Sequence, residues 1–334
     1  MRENVRTLVL GGTAFLGIAL REALQHRGHD VTLFNRGVTS PQPVAGVRTI
    51  FGDRTRDLET LSGETFDAVI DTSGYVPHVV ERSARFFAGR TGRYVFVSTV
   101  SVYDISRPEL HEDSPMLALP DGASRTEMTD ETYGPLKALC ERVVASTFRQ
   151  RATIVRPGLI VGPHDPTDRF TYWPVRFARG GDVLAPAPPD APVQFVDVRD
   201  LADFVVHLVE RNAPGDYNVT SPQGLYTMGG VLSACAAAAR LRTTVTWADE
   251  AFLLAHDVAP WMDLPLWIPP SIDASGILNI NVRKALIAGL RIRRLADTIR
   301  DTLTWFTTLP RDHVARAGLT PDRETSLLSA LERT

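Results

Sequence analysis

Two side chains that can take part in proton transfer stand four residues apart near the middle of the chain. Tyr133 and Lys137 form the pentad Y-G-P-L-K, and this spacing places both on one face of a helix. A lysine ammonium beside a phenol can lower the phenol pKa below its free value of about 10. Such a phenol can exchange a proton with an alcohol oxygen while a neighbouring cofactor transfers a hydride. The pentad alone is weak evidence, so its weight depends on the elements around it.

A glycine-rich turn near the start of the chain supplies one such element. Gly11, Ala14 and Gly17 lie between an apolar strand over 7–10 and a helix over 16–27. Glycine lets the backbone approach a pyrophosphate, and a helix N-terminus offers N–H donors and a positive dipole. A tight turn without a ligand is the alternative. The order strand, turn, helix and second strand favours a dinucleotide site.

The residues that follow the second and third strands bear on the kind of dinucleotide. Asn35 stands where an acidic residue would hold the adenosine ribose 2′-hydroxyl, and Arg36 could pair with a 2′-phosphate. NADP(H) is therefore slightly favoured over NAD(H), unless Arg36 points into solvent. Asp53 could accept a hydrogen bond from the adenine amino group, or it could form a turn.

Strands alternate with helices through the first half of the chain, which predicts right-handed βαβ units. The strands are continuous apolar runs, as expected where helices cover both faces of a parallel sheet. Further strands are predicted over 29–34, 47–51, 68–71, 94–98 and 152–156, with helices over 79–89 and 131–151. The predicted fold class is α/β, a doubly wound parallel Rossmann sheet with a smaller, mostly helical C-terminal substrate-binding region.

The pattern loosens in the second half of the chain. Residues 1–165 are predicted to form an NAD(P)-binding domain, to which 194–220 returns, and 166–193 with 221–334 form the substrate-binding region. Residues 180–192 are expected to form a loop or a hairpin. The D-V-R-D sequence at 197–200 predicts an ion-pair turn at a helix N-terminus.

The composition is ordinary for a globular protein, with 44% hydrophobic residues, 22% charged residues and a net charge of −3. This charge gives no general attraction to nucleic acid or anionic membrane. Cys140 and Cys235 show neither metal-ligand nor disulfide spacing and are expected to be buried, which fits a reducing cytoplasm. No secretory leader and no membrane span are recognisable. We therefore expect a cytoplasmic protein with no metal, no membrane and no nucleic acid partner.

With these motifs in view, the chain resembles an extended short-chain dehydrogenase/reductase of the NAD-dependent epimerase/dehydratase family. The resemblance covers nearly the whole chain and is carried by LVLGGTAFLG, FGDR, VIDTSGY, VFVSTVSVY, YGPLK, RPGLIVGP and QFVDVRDLADF. The opening G-G-T-x-F-L-G turn is most similar to members labelled reductases. The resemblance implies that Thr99 hydrogen-bonds the substrate oxygen and that Tyr133 is the acid/base. It also implies that Lys137 binds the nicotinamide ribose and lowers the pKa of Tyr133.

The resemblance further implies binding residues at the turns that follow the strands. The cofactor set is Gly11, Thr13, Ala14, Phe15, Leu16, Gly17, Asn35, Arg36, Asp53, Arg54, Asp71, Thr72, Ser73, Gly74, Ser98, Lys137, Pro157 and Gly158. The substrate candidates are Ser101, Tyr103, Arg169, Trp173 and Arg176. Family members dimerise through long helices beside the sheet, so a homodimer is expected by analogy.

Several departures from the family pattern limit the chemistry. Ala14 replaces a usual glycine, which would slightly alter the approach to the pyrophosphate. Val100 and Ser101 stand where related sugar-nucleotide 4,6-dehydratases carry an Asp-Glu pair, which argues against that dehydration because it needs a separate acid and base. A reductase or dehydrogenase acting on a carbonyl or carbinol carbon remains the first hypothesis.

Two other classes of function remain open. The first is a nucleotide-sugar epimerase with a tightly held cofactor, in which Arg169, Arg176 and Arg179 would bind the substrate diphosphate. The second is a non-catalytic binding protein on the same fold, such as an RNA-binding relative. The substrate under the catalytic hypotheses is a small molecule, either a carbonyl compound or a nucleotide sugar.

Overall fold

The computed structural model describes residues 4–310 and 312–333, with the side chain of Ser275 excepted, so residues 1–3, 311 and 334 of the predicted domains lie outside the described residues. The strands are β1 Arg6–Leu10, β2 Asp30–Asn35, β3 Arg48–Phe51, β4 Phe66–Asp71, β5 Thr91–Val97, β6 Ala152–Pro157, β7 Leu159–Val161, β8 Gly181–Pro186, β9 Pro192–Val193, β10 Phe195–Asp197, β11 Gly215–Val219, β12 Tyr226–Thr227 and β13 Thr243–Ala248. The α-helices are α1 Leu16–His26, α2 Pro77–Phe87, α3 Asp130–Phe148, α4 Tyr172–Ala178, α5 Val198–Glu210, α6 Met228–Ala238, α7 Glu250–Ala255, α8 Arg283–Ala288, α9 Leu295–Phe306 and α10 Pro321–Leu331.

A parallel sheet of seven strands forms the centre of the N-terminal half. Its strand order is β3-β2-β1-β4-β5-β6-β11, and each neighbouring pair runs in the same direction. The direction of winding reverses between β1 and β4, which opens a crevice at their carboxyl ends, where sheets of this type bind ligands. The predicted doubly wound α/β fold is confirmed.

Helices cover both faces of this sheet because each presents an apolar stripe to it. On one face, α1 buries Leu16, Ala19, Leu20 and Leu24, a set spaced by three and four residues. On the other face, α2 and α3 bury their own stripes in a second core that includes Phe87. Full burial of a large aliphatic or aromatic side chain contributes about 1.5–3 kcal/mol, so these stripes fix the helices that carry the site.

The D-V-R-D turn begins α5, which packs against α1. The Asp197 carboxylate accepts a hydrogen bond from the backbone N–H of Arg199, and the Arg199 guanidinium pairs with both Asp197 and Asp301. Asp200 pairs with Arg293 at 2.6 Å. The predicted ion-pair turn at a helix N-terminus is confirmed.

The prediction of a loop or hairpin over 180–192 is wrong for residues 181–186. Its first half is β8, which pairs in parallel with β13 in a separate two-stranded sheet. Val183, Leu184 and Ala185 of β8 are fully buried in the core of the C-terminal region. The partner strand lies about sixty residues further along the chain, so no local turn signal could indicate the pairing.

Two smaller expectations concern the cysteines and membrane-spanning helices. Cys140 and Cys235 are both free, buried thiols, as predicted. No helix in the described part of the chain combines the length and the apolar character that crossing a membrane would require.

Candidate active site

A cleft of about 640 Å³ lies at the carboxyl ends of the central strands. It is lined by most of the predicted cofactor residues together with the predicted catalytic ones. These are Gly11, Thr13, Ala14, Phe15, Leu16, Gly17, Asn35, Arg36, Asp53, Arg54, Thr72, Ser73, Ser98, Thr99, Tyr133, Lys137, Pro157 and Gly158. The structure therefore brings both sets together in one cleft.

The glycine-rich turn after β1 forms a tight cradle with no room for a side chain at Gly11 or Gly17. Gly11 has a φ of +115°, and a methyl group there would lie 2.5 Å from Oγ1 of Thr72. A methyl group on Gly17 would lie 2.6 Å from Cα of Gly12. The first residues of α1 line the cleft beside this turn. A bare backbone beside a helix N-terminus suits a pyrophosphate.

Two buried polar atoms of the cleft residues have no hydrogen-bond partner among the described residues, namely Nδ2 of Asn35 and Oγ of Ser98. The other amide atom of Asn35, Oδ1, accepts a hydrogen bond from the backbone N–H of Gly37 at 2.9 Å. Buried polar groups are normally paired, so each of these atoms fits a partner supplied by a ligand. Together with the glycine cradle, they fit a nicotinamide dinucleotide.

The part of the cleft that follows β2 and β3 carries Arg36 and Asp53. Arg36 is exposed at the cleft wall. Oδ1 of Asp53 accepts hydrogen bonds from the backbone N–H and the hydroxyl of Thr55, and these bonds hold the pKa of Asp53 below its usual value. Asp53 is thus a turn residue that also lines the cleft, and its contact with adenine remains a prediction.

Tyr133 lies in the first turns of α3, which begins with a capping box formed by Thr129 and Thr132. The helix lies close to the turn that follows β5. A methyl group on Gly134 would lie only 2.0 Å from the carbonyl oxygen of Ser101 in that turn. Tyr133 and Thr99 both line the cleft. Burial raises the pKa of Tyr133, and hydrogen bonding with Thr99 partly opposes that rise.

Lys137 is fully buried one turn further along α3. Its Nζ donates hydrogen bonds to the carbonyl oxygens of Gly74 and Val97, both at 2.7 Å. Burial lowers the pKa of Lys137 to about 8. The expectation that this lysine lowers the pKa of Tyr133 remains a prediction. The ammonium is held by two backbone carbonyls, and burial is the larger influence on the phenol.

Thr99 is held in place by Ser101. Oγ1 of Thr99 accepts a hydrogen bond from the backbone N–H of Ser101 and donates one to its hydroxyl, both at 3.1 Å. Ser101 therefore lies beside the cleft and fixes the predicted hydrogen-bond donor. Its contact with a substrate remains a prediction.

Asp71 does not reach the cleft, contrary to its place in the predicted cofactor set. Its carboxylate forms a bidentate pair with Arg54, with both distances 2.6 Å, and accepts a hydrogen bond from the Tyr94 hydroxyl at 2.8 Å. Burial would raise the pKa of Asp71, but Arg54 and Tyr94 hold it below its usual value. The pair fixes the start of the loop at 72–74, whose Thr72 and Ser73 do line the cleft. Gly74 is buried behind them and binds Lys137 through its carbonyl.

Three of the predicted substrate residues lie in the protein interior and are not among the residues that line the cleft. The Trp173 indole N–H donates to the carbonyl of Pro265, and the buried Tyr103 hydroxyl donates to Asn218. Arg176 pairs with Glu324 of α10. Their side chains are used in packing, so we remove all three from the substrate set.

Arg169 keeps its place as a substrate candidate. It is partly buried, and its guanidinium stacks over the Trp261 ring at 5.9 Å from the centroid.

Several lining residues were missed by the sequence prediction, among them Val38, Thr39, Tyr75, Val79, Ile160 and Pro166. Tyr75 is the most informative, because its ring lies 5.2 Å from Nζ of Lys137 and 42% of the residue is exposed. It is the last residue of the VIDTSGY motif, directly after the predicted set 71–74. An aromatic residue at that position was a signal that could have been used.

Residues 7–220 match the model of the NAD dependent epimerase/dehydratase family. The chain belongs to this family. The matched segment includes the glycine cradle and all three of Thr99, Tyr133 and Lys137.

Two curated relatives of this epimerase/dehydratase chain differ in what their names describe. The chain is 28% identical over 257 residues to the chloroplast stem-loop binding protein of 41 kDa b from Arabidopsis thaliana, covering 70% of this chain and 63% of that protein. It is 33% identical over 178 residues to 2-alkyl-3-oxoalkanoate reductase from Stenotrophomonas maltophilia, covering 48% of this chain and 52% of that protein. The chain thus spans less than two thirds of the length of either relative.

Solved structures share the fold at low sequence identity. A UDP-glucuronic acid 4-epimerase from Bacillus cereus, in complex with NAD, has a TM-score of 0.64 at 15% identity, covering 93% of this chain and 99% of that one. The human epimerase family protein SDR39U1, with NADPH, has a TM-score of 0.58 at 20% identity, covering 90% of this chain and 99% of that one. At these identities the likeness establishes the Rossmann-type fold alone.

Proposed function

We propose that the protein is an NAD(P)(H)-dependent oxidoreductase that transfers hydride to or from a carbonyl or carbinol carbon. The observation that carries the proposal is that Thr99, Tyr133 and Lys137 all line the cleft that contains the glycine cradle. The reductase-like G-G-T-x-F-L-G opening supports it, as does the likeness to a protein named a reductase. Thr99, Tyr133 and Lys137 are its proposed catalytic residues.

The bound nicotinamide would supply or accept the hydride, and the chain would handle the proton. In the reducing direction, the Thr99 hydroxyl would turn from Ser101 to donate its hydrogen bond to the carbonyl oxygen, and the Tyr133 hydroxyl would give that oxygen its proton. The raised pKa of Tyr133 keeps the phenol protonated near neutral pH, which suits a proton donor. The Lys137 ammonium stabilises the phenolate that remains.

The screen that tests this proposal follows the absorbance of NADPH and NADH with a panel of carbonyl compounds and nucleotide sugars. A reductase consumes one cofactor for each product molecule. A protein that turns over none of the compounds with either cofactor would contradict the proposal.

We further propose that NADP(H) is favoured over NAD(H). Arg36 is exposed in the part of the cleft that follows β2 and β3, and the neighbouring Asn35 brings no negative charge that would repel a 2′-phosphate. Arg36 in its place after β2 would pair with that phosphate in a bidentate way.

The change Arg36→Ala is expected to weaken NADPH binding by about 10- to 150-fold, because a hydrogen bond to a charged group contributes about 1.5–3 kcal/mol. NADH binding should not change, since NADH lacks the phosphate. Titration of the fluorescence of each reduced cofactor measures both affinities. Arg56→Ala is the matched control, because this arginine is also exposed and lies near Asp57 outside the cleft lining. An unchanged NADPH affinity in the Arg36 variant would overturn the cofactor proposal.

A nucleotide-sugar epimerase is the alternative that the family membership keeps open. Its case is weaker in this structure, because Arg176 is committed to Glu324 and only Arg169 and Arg179 remain to bind a diphosphate. Stoichiometry separates the two activities. An epimerase would copurify with cofactor and return it unchanged, whereas a reductase would consume it.

A non-catalytic binding role is the second alternative, and the match to a protein named as stem-loop binding keeps it open. A net charge of −3 argues against it, because phosphate backbones attract basic surfaces. Salt-sensitive binding of a stem-loop RNA, together with no turnover in the screen, would favour this role.

The remaining sequence predictions are kept as proposals. They are the division into a cofactor domain over 1–165 with 194–220 and a substrate region over 166–193 and 221–334, a homodimer, and a cytoplasmic location. Light scattering of the purified protein would test the dimer.

A further inference from the structure

Lys137 carries a charge in surroundings that provide it with no carboxylate of its own. Its ammonium is fully buried, and none of the carboxylates in residues 4–310 and 312–333 forms an ion pair with it. The acidic groups that influence it are Asp71 from β4 and Glu141 from α3. Asp71 is already paired with Arg54, and Glu141 is already paired with Arg156. The charge must therefore be stabilised by other groups.

The other titratable groups around Lys137 do not provide an anion either. Burial raises the pKa of the Cys140 thiol on the same helix to about 12, so it stays neutral. Tyr133 and Tyr75 have phenol pKa values raised by burial and are neutral as well. Arg54 is a cation and opposes the charge of Lys137.

Two aromatic rings contact the ammonium in the place of a carboxylate. Nζ of Lys137 lies 4.2 Å from the ring centroid of Phe96 and 5.2 Å from that of Tyr75. Both distances are within the range of about 6 Å over which a ring face attracts a cation. The two carbonyl bonds of Nζ come from the same two segments, since Gly74 precedes Tyr75 and Val97 follows Phe96. The two rings and the two carbonyls therefore surround the ammonium from the same two segments.

We propose that Phe96 and Tyr75 form an aromatic clamp that keeps Lys137 protonated in the cleft, which makes Tyr75 a positioning residue that acts through Lys137. The effect of this clamp on catalysis rests on the proposed oxidoreductase function. Phe96 is fully buried and serves as the inner half of the clamp. Tyr75 is the outer half, and its exposed part lines the cleft beside Tyr133.

The clamp can be tested directly because the chain has only two lysines, Lys137 and Lys284. Labelling with ¹³Cε-lysine gives two side-chain signals in NMR spectra, and Lys284→Arg assigns them. Lys284 is exposed and lies against Tyr217, far along the chain from the clamp, so its signal is the internal reference. The titration midpoint of Lys137 can then be read without any substrate or turnover.

Tyr75→Leu is expected to lower the titration midpoint of Lys137 by about 0.5–1.5 pH units, because cation–π contacts contribute about 0.5–2 kcal/mol. Leucine fills much of the same volume, so water should stay excluded while the π face is lost. Tyr75→Phe keeps the ring and is expected to keep the wild-type midpoint. The Lys284 signal should titrate identically in all three proteins. An unchanged or higher midpoint in Tyr75→Leu would overturn the clamp.

Phe96→Leu is a second variant, with an expected fall at least as large because the Phe96 ring is closer. If this buried change prevents folding, Tyr75→Leu still decides the matter, since Tyr75 is 42% exposed. The rate of cofactor oxidation should show its alkaline fall at a lower pH in Tyr75→Leu and at the wild-type pH in Tyr75→Phe. A shifted lysine titration in a protein without any turnover would leave the clamp standing and refute the oxidoreductase proposal instead.

Discussion

Replacement of Tyr133 by phenylalanine is expected to reduce turnover by about 100- to 10,000-fold, the usual contribution of a positioned acid or base. The change removes the phenolic oxygen proposed as the proton donor in the cleft, and it leaves the ring of residue 133 in place. Cofactor affinity should remain near the wild-type value, because the glycine cradle is untouched. Initial rates with the best substrate from the screen, together with cofactor fluorescence titrations, measure both quantities.

The matched control for this variant is Tyr226→Phe. Tyr226 lies on β12, stacked against Phe195, and is not among the cleft residues. Its loss of a hydroxyl should leave the rate unchanged. Wild-type turnover in Tyr133→Phe would exclude the phenol as the proton donor.

The change Asp71→Asn is expected to lower the free energy of unfolding by about 3–5 kcal/mol, because removing one member of a buried ion pair leaves the other charge uncompensated. Both oxygens of Asp71 contact the Arg54 guanidinium at 2.6 Å, and the aspartate is fully buried. Urea denaturation at neutral pH, monitored by circular dichroism, measures the change. The same residues fix the loop at 72–74, so cofactor binding should weaken as well.

The pH dependence of this pair has a definite sign. The pKa of Asp71 is lower in the folded protein than in the unfolded chain, where it is about 3.9, so its stabilisation is complete above that value. The stabilisation is lost as the pH falls through the folded pKa, and Asp71→Asn should remove this component of the acid sensitivity.

A half-buried acidic residue with exposed partners provides the comparison for Asp71. Asp297 pairs with Arg294 and Arg300, both of which are mostly exposed to solvent. Surface ion pairs of this kind contribute little to the free energy of unfolding, so Asp297→Asn should barely change the urea midpoint. Equal effects of the two substitutions would show that the buried pair has no special importance.

The parts of the fold that could be predicted are those with local signals. The turn from Gly11 to Gly17 and the apolar runs around it predicted β1, α1 and β2, because a parallel strand buried on both faces is recognisable from its own residues. The pairing of β8 with β13 could not be predicted in this way. It depends on a contact between distant segments, and β8 is flanked by glycines and prolines that are also typical of loops.

The same distinction applies to the site. Thr99, Tyr133 and Lys137 could be found from motifs, because the chemistry requires those residue types. Arg176 was mistaken for a substrate residue because a free arginine and a buried one look the same in a sequence, and only the position of Glu324 distinguishes them. Trp173 was mistaken for one as well. The surroundings of Lys137 were also unpredictable, since its two rings and two carbonyls come from β5 and from the loop after β4.

The pairing of Arg176 with Glu324 has a practical consequence for shortened versions of the protein. Glu324 also accepts a hydrogen bond from the backbone N–H of Leu184 at 3.0 Å, so one carboxylate ties α10 to both α4 and β8. A truncation before residue 320 would leave a guanidinium inside the C-terminal core without its counterion. Expression trials that trim this end should therefore retain the final helix, or replace the arginine in the same step.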